Sequence, residues 1–559
     1  MDNSVLISQH NKGKEDSLRF KERRFNQWNE NYALYRDKVS TNRLTQRQPI
    51  NIPIMRETIQ TWISKSDEAP QLKFETRGQS NKDKSGEILL NTMWDYTFDD
   101  LKLDLKDNLE KKIVGLQGRG FKKWGFSQGK VFCDLIDPYD VDIDPRVNPL
   151  DVNTASFINH KHIFRPLRTI LANPKYNSDA KQELKTYLDT KEGLIKAATS
   201  QEEFERREER LRTLGANNFD ELGASDVLVE ITESYRLMWD KTTSRFVRHL
   251  IVIALDQFVL YNKPIKEAIG TDLLPIVTWA DDPDANDFWS DGKGDNVRTF
   301  NKVANMYISQ DIENRAYRNF GMYFFNTMNG TFQPRAFEAK PFGMYGVPGN
   351  PQEIVQQMRI EPLGDTTHVI EYMKNLIQSS VAQTATERGE QDPGKATLGE
   401  VQLTLQQSQG RQAVGAKQYR TAWRESGQLF YELLNANSRG GFKMYKKGND
   451  GNYYNKTVSP SDWQNPEGYE CKVVLESESQ AQDDMDLKKT AYIKQSFINN
   501  PVAQKIARRK ELELLGWEQE EIEEVMQYED QGMQQQAMAG MQQPLEDQQS
   551  LNDTRPVIA

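Results

Sequence analysis

The sequence predicts an α+β fold, mainly α, drawn out into an elongated subunit, and three observations carry that prediction. Long helical patterns occur at 297–325, 365–383 and 397–437. Short strand-like segments gather in three groups, at 121–144, 226–279 and 441–475. No internal repeat relates these parts.

The chain has 559 residues, enough for three or four domains or one large subunit. Its 72 Lys and Arg against 82 Asp and Glu give a net charge of −10, which argues against a protein that coats nucleic acid by neutralising phosphates. Cys133 and Cys471 lie far apart, so neither a disulfide framework nor a Cys-based zinc site is legible. No basic region followed by an apolar stretch opens the sequence, and the strongest apolar run, Leu250 to Leu255, is too short to span a bilayer. The expectation is a soluble, unsecreted protein.

Residues 1–50 read as a mildly basic arm. From Pro53, the spacing of Met55, Ile59, Trp62 and Ile63 predicts an amphipathic helix. Further helices are expected around Glu87–Thr97 and along the stripe Leu101, Leu105, Leu109, Ile113. Phe121–Phe126 and Lys130–Cys133 predict two strands joined by a glycine-containing turn, followed by an exposed alternating strand in Asp137–Pro145. Residues 166–222 read as charged helix, and the Glu/Arg run 201–212 as a solvated face.

Asp226–Met238 and Phe246–Leu260 predict an antiparallel pair, with Leu274–Trp279 as a third strand and 281–295 as a polar loop. The helix pattern over residues 297–325 would be ~43 Å long. Residues 328–364, with prolines at 334, 341, 348 and 351, form an irregular insertion, after which a helix resumes at Asp365. Thr397-Leu398-Gly399-Glu400 is a capping box opening a helix to about Asn437, with Tyr419, Trp423, Ser426, Phe430, Leu433 and Leu434 on one face. Strands, two helices near 483–499 and 501–527, and a Gln-rich disordered tail complete the reading.

Chemistry-bearing motifs fail on context. Gly125-Phe-Ser127-Gln-Gly129 matches G-x-S-x-G but is followed by strand-forming residues where a nucleophile elbow needs a helix. Leu250–Asp256 resembles a magnesium-holding ATPase strand, yet around Gly292-Lys293-Gly294 the phosphate-loop glycine and hydroxyl residue are missing. Asp140, Asp142 and Asp144 imitate half a calcium loop, with Pro145 where the turn glycine belongs. His160 and His162 could share a strand face but have no third ligand nearby. No catalytic set, cofactor or metal is expected.

The order of long helix, Pro/Gly-rich insertion, returning helix, polar Thr/Gly loop and long helix resembles the portal proteins of tailed bacteriophages, in their podovirus-like branch. Local phrases agree: Asp137-Pro138 through Asp144-Pro145, Leu274-Pro275-Ile276-Val277 with the Asn/Asp/Gly loop after it, and Thr384-Ala-Thr-Glu-Arg-Gly389 with Ala396-Thr397. The resemblance covers roughly 20–530 and rests on ordering more than on any single motif.

It implies a ring, usually of twelve subunits, at one capsid vertex, through which double-stranded DNA is packaged, retained and ejected. In those terms residues 1–296 would be an arm and α/β wing, 297–327 the first stem helix, 328–364 the clip, 365–383 the second stem helix and 384–396 the tunnel loop. Residues 397–480 would be a kinked long helix with the wing's return strands, 481–530 a helical crown and 531–559 the disordered tail. Implied partners are further copies of the chain, the major capsid protein, the terminase motor, a head-tail adaptor and tail proteins, and a scaffolding protein. The implied location is the virion, after assembly in the host bacterial cytoplasm, with no membrane involved.

On this resemblance Thr384, Thr386, Arg388 and Lys395 would face DNA in the tunnel loop. Arg298, Lys302, Arg315, Arg318 and Lys374 would line the channel as sparse guides in a repulsive ring, with ordinary salt bridges to Glu387, Asp311 or Glu313 as the alternative. Val297, Phe300, Ile308, Ile312, Val369 and Leu376 would pack the stem against a neighbour. The competing readings are another head-tail structural protein, such as an adaptor or minor capsid protein, and the packaging ATPase.

Overall fold

A computed structural model describes residues 3–38, 50–65, 70–77, 81–127, 129–190, 192–193, 195–197, 227–240, 244–320, 322–325, 350, 355–358, 361–362, 364, 366–381, 398–447, 453–465, 468–475, 487–496, 501–514, 522, 525–526 and 528. The fold is mixed α and β, with helix in the majority and several separate sheets. The chain divides into two compact units, 1–67 with 72–473 and 68–71 with 474–559.

The largest sheet is antiparallel, in the order β4 (Val141–Ile143), β5 (Phe157–Pro166), β6 (Leu228–Asp240), β7 (Arg245–Ala254), β8 (Phe258–Pro264). Side chains alternate between its faces. Ile251 and Ile253 of β7 pack on Leu6 of the first helix, whereas Val252 and Ala254 pack on Leu184 and Leu188 of the helix Ser178–Leu188. Both faces are covered at this end of the strand, so β7 is apolar at every position from Leu250 to Ala254, which is the origin of the run that imitates an ATPase strand.

A second sheet has the order β3 (Lys130–Ile136), β2 (Arg119–Ser127), β9 (Ile276–Ala280). The β2–β3 hairpin matches the sequence expectation, with Ser127 opposite Lys130. The third strand does not join β6 and β7 as expected: Ile276 to Ala280 pair with β2. Val277 and Trp279 are drawn there by a core that includes Trp124, Trp94 and Trp423. Gly118 enters β2 with φ +86°, and a Cβ there would lie 1.8 Å from the Ser290 carbonyl oxygen, so this junction admits only glycine.

The basic arm is a helix, α1 (Asn3–Tyr35), ~50 Å long. Its inward positions follow the helical period, three, four or seven residues apart, at Leu6, His10, Gly13, Ser17, Lys21, Trp28, Asn31 and Tyr35, but half of them are polar. The helical period is present while the apolar period that would announce it is not. α2 (Ile54–Lys65) starts as the sequence predicts, and α3 spans Asn81–Asp100.

α4 (Leu103–Gln117) reverses its expected polarity. Leu105 and Leu109 of the apolar stripe are 56% and 52% exposed, while Asp107, Glu110 and Lys111 are buried. Lys122 of β2 bridges both carboxylates, at 3.3 Å from Asp107 and 2.7 Å from Glu110. Tyr419 donates to Asp107 at 2.6 Å. Burial alone would raise the Asp107 carboxyl pKa, but Lys122 and Lys111 outweigh it and hold it below the ordinary value.

The helix Leu398–Asn437 is uninterrupted. Tyr419, Trp423, Ser426, Phe430, Leu433 and Leu434 are all buried, as their spacing predicts. The hairpin Phe442–Lys447 with Tyr453–Val458 follows, and then the strand Tyr469–Leu475, which pairs with Pro70–Thr76. In the C-terminal unit the described helices are 487–496 and Pro501–Leu514. There Glu511 takes ion pairs from Lys494 and, at 2.9 Å, from Arg508. The expected tail 531–559 lies outside the described residues.

Candidate functional site

The feature with most functional content is a two-helix limb. Its first helix runs Lys293–Phe320, four residues earlier than the pattern from Val297 suggests, and ends before the expected boundary at 327. Met322–Phe325 is strand instead, paired antiparallel with Val355–Met358. The sequence places Gly321 between helix and strand, a residue of poor helix propensity. The returning helix Thr366–Ser380 packs along the first, and Asn314 donates to the Glu361 carbonyl at 3.0 Å.

The base of the limb is finished within one chain. Val297 and Ala304 are fully buried with Leu34 and Tyr35 of α1, Met55 and Ile59 of α2, Ile377 of the returning helix and Val381 just after it. Two buried asparagines one turn apart lock this base. The Asn301 Oδ1 accepts from the Met55 N–H at 3.0 Å, and Asn305 Oδ1 accepts from the Ile52 N–H at 2.8 Å. Asn301 Nδ2 also donates to the Ile52 carbonyl at 3.1 Å. The long helix therefore satisfies the Met55 N–H in the first turn of α2, which has no intrahelical partner, and the Ile52 N–H just before that helix. Asparagine is a weak helix former, and its recurrence at i and i+4 inside a long helical pattern is the signal that sequence reasoning passed over.

Charge at the base is paired within the chain as well. Arg298 is 16% exposed at the side chain and pairs with Asp295 at 2.5 Å and Glu30 at 3.6 Å. Lys302 reaches the same Glu30 at 2.6 Å. Arg298 is thus largely withdrawn into its own chain, whereas Lys302, 48% exposed at the side chain, is paired but open to solvent. Arg315 pairs with Asp311 at 3.0 Å, one turn away on its own helix. Arg318 is exposed and Lys374 half-buried, and among the described residues neither has an ion-pair partner.

The apolar positions divide along the limb. Val297 is buried within the subunit, contrary to the expectation that it faces a neighbour, and Phe300 packs beside it. Ile308, Val369 and Leu376 are half-buried. Ile312 is 41% exposed, and Met306 and Tyr372 are more exposed still. Thr384, Thr386, Arg388 and Lys395, with most of the insertion 328–364, lie outside the described residues.

The motif lookalikes resolve into structural roles. Asp142 is not on an exposed edge: it is buried between Lys161 at 3.0 Å and Lys21 at 3.4 Å. Burial lowers the Lys21 pKa to about 8, and Lys161 adds to that shift. Asp140 pairs with His162 Nδ1 at 2.7 Å, and Asp144 accepts from Ser156, so the three aspartates diverge and form no calcium loop. A bulge between His160 and Ile163 leaves His162 at φ +57°, and burial lowers the His160 pKa to about 4. Among the described residues no group of three or more His, Cys, Asp and Glu could hold a metal.

Asp256 sits in the turn after β7, bound to Lys14 at 2.6 Å and to His10 at 3.3 Å. Ser127 belongs to a hairpin end with no helix after it. Cys133 and Cys471 are both buried free thiols, raised to about 12 chiefly by desolvation. A thiol held that high is not a nucleophile near neutral pH.

No protein-family model matches the chain, and no curated protein matches it by sequence. Among the described residues no helix is long and apolar enough to cross a membrane.

Proposed function

We propose that the chain is a portal, the head-to-tail connector of a tailed bacteriophage, acting as a ring of about twelve copies around a DNA channel. The observation that carries this reading is the limb: a 28-residue helix, an antiparallel strand pair and a returning helix packed on the first, followed in sequence by a 40-residue helix. In the portal order Met322–Phe325 falls at the end of the first stem helix and Val355–Met358 in the clip, where a packaging motor and later a tail adaptor would dock. The loop 384–396 would then present Arg388 and Lys395 to DNA.

In this reading the protein is a passage and a docking platform, not a catalyst. At −10 per chain the ring would be strongly acidic, so duplex DNA would slide past sparse cations without being held. The withdrawal of Arg298 beside Glu30 and Asp295 leaves Lys302, Arg315, Arg318 and Lys374 on the limb, with the loop, as those guides. The proposed setting is the virion's portal vertex, with the capsid protein, the terminase motor and tail components as neighbours.

Electron microscopy of the negatively stained, purified chain tests the proposal. Closed rings with an axial hole support it, whereas particles without a hole that bind only tail proteins favour an adaptor. A second test removes Thr384 to Lys395. Rings that still form but fail to package or retain DNA support the loop's role, and loss of ring assembly places the loop in a subunit interface instead.

A further inference from the structure

A crevice of about 700 Å³ opens between α1 and the turn that leads from β4 towards β5. Four cations line it, Lys12, Arg19, Arg146 and Arg236, against two carboxylates, Asp16 and Asp144. The local charge is thus positive on a chain whose net charge is −10.

The carboxylates do not neutralise the innermost cation. Asp144 is occupied elsewhere: its Oδ1 accepts from the Arg146 N–H at 3.0 Å, and its Oδ2 accepts from the Ser156 N–H at 3.2 Å and the Ser156 hydroxyl at 2.5 Å. Arg236 lies over the Phe157 ring, 4.9 Å from its centroid. Its Nη2 donates to the Gln9 carbonyl at 3.4 Å, and its Nε is buried with no hydrogen-bond partner among the described residues. Burial lowers the Arg236 pKa, and Asp144 only partly opposes that shift. Arg236 is half-buried with no carboxylate bonded to it among the described residues, and an oxyanion in the crevice would supply acceptors for the part of its guanidinium that faces the opening.

The first helix makes room for this arrangement. A Cβ on Gly13 would stand 3.0 Å from the Phe157 ring and 3.2 Å from Arg236 Nη2. Glycine inside a long helix is unfavourable, and here its absent side chain is what lets α1 lie over the ring and the guanidinium.

We propose that this crevice binds a small phosphate-type oxyanion, with Arg236 as its floor and Lys12 and Arg146 at its rim. Arg19 adds its field while paired to Glu15 at 2.5 Å. Phosphate fits better than a single carboxylate because it carries close to two negative charges and at least three acceptor oxygens, to match several cations arranged around one space. The site does not depend on the chain forming a ring.

Calorimetric titration of the full chain with inorganic phosphate, against chloride at matched ionic strength, tests the site. Saturable binding is expected, weakened about tenfold or more both by Arg236→Gln and by the paired rim change Lys12→Gln with Arg146→Gln. The rim residues are exposed, so that variant keeps the packing of Arg236 on Phe157 and decides the matter if Arg236→Gln does not fold. No saturable heat, or unchanged affinity in a folded rim variant, overturns the proposal. A short DNA duplex serves as competitor. Failure to displace phosphate supports a small ligand, and displacement reassigns the site to backbone phosphates and overturns it.

Discussion

The two halves of the helix Lys293–Phe320 are built for different surroundings. In the first half, Val297, Asn301 and Ala304 are each fully buried, and every partner they use belongs to the same chain. From Met306 onward, Met306 and Ile312 stand exposed, and Arg315 finds its counter-ion on its own helix. The difference teaches that one chain is enough to anchor the limb but not to cover it. Apolar side chains half in water along a limb are a reserve of contact area, and under the portal reading further copies of the chain use it.

The sharpest way to break this contrast is to charge the buried half. Val297→Asp places an unpaired carboxylate among Leu34, Met55 and Ile377, and should destabilise the subunit by about 3–5 kcal/mol, read as a lower denaturant midpoint. A variant with an unchanged midpoint would show that the base is open to water.

A smaller loss is expected from Asn301→Leu, which fills the space but strands the Met55 N–H and the Ile52 carbonyl. It should cost about 1–3 kcal/mol, with Asn305→Leu adding less than its own full effect because the two amides are hydrogen-bonded at 3.2 Å. Strict additivity in a double-mutant cycle would separate them.

Ile312→Asp sharpens the contrast from the other side. At an exposed position it should change subunit stability by less than about 0.5 kcal/mol while reducing the share of chain found in oligomers. A large drop in melting temperature without any change in mass would reverse the roles of the two halves. The weakest effect belongs to Glu30→Gln, which releases Lys302 and loosens Arg298. Glu30 and Lys302 are both nearly half exposed, so stability should shift by no more than about 0.5 kcal/mol. A salt-dependent gain in DNA affinity in that variant would show that Glu30 holds these cations back from DNA.

How far the sequence could be read followed the chemistry of each buried face. The long helix Leu398–Asn437 turns aromatic and aliphatic side chains inward, and its spacing alone locates the buried positions from Tyr419 to Leu434. α4 turns Asp107, Glu110 and Lys111 inward, where Lys122 and Tyr419 satisfy them, and leaves Leu105 and Leu109 outside, so the same rule names its wrong face. α1 escaped notice for a related reason, since His10, Ser17, Lys21 and Asn31 occupy buried positions on its helical period.

At the candidate site, Asn301, Asn305 and Glu30 act through partners some 250 residues away or more, a separation that no local spacing reports. The order of long helices could be read because each is a continuous period. The fate of each cation could not, because it depends on what the fold brings beside it.

The central claim is that the chain acts as a ring, and the mass of the purified full-length particle in solution tests it most directly. At 64.6 kDa per chain, the account predicts a closed species of roughly 775 kDa, twelve copies, that shifts towards smaller species in Ile312→Asp. A particle that stays at 64.6 kDa at every concentration, with the Ile312→Asp variant indistinguishable from it, would contradict the account.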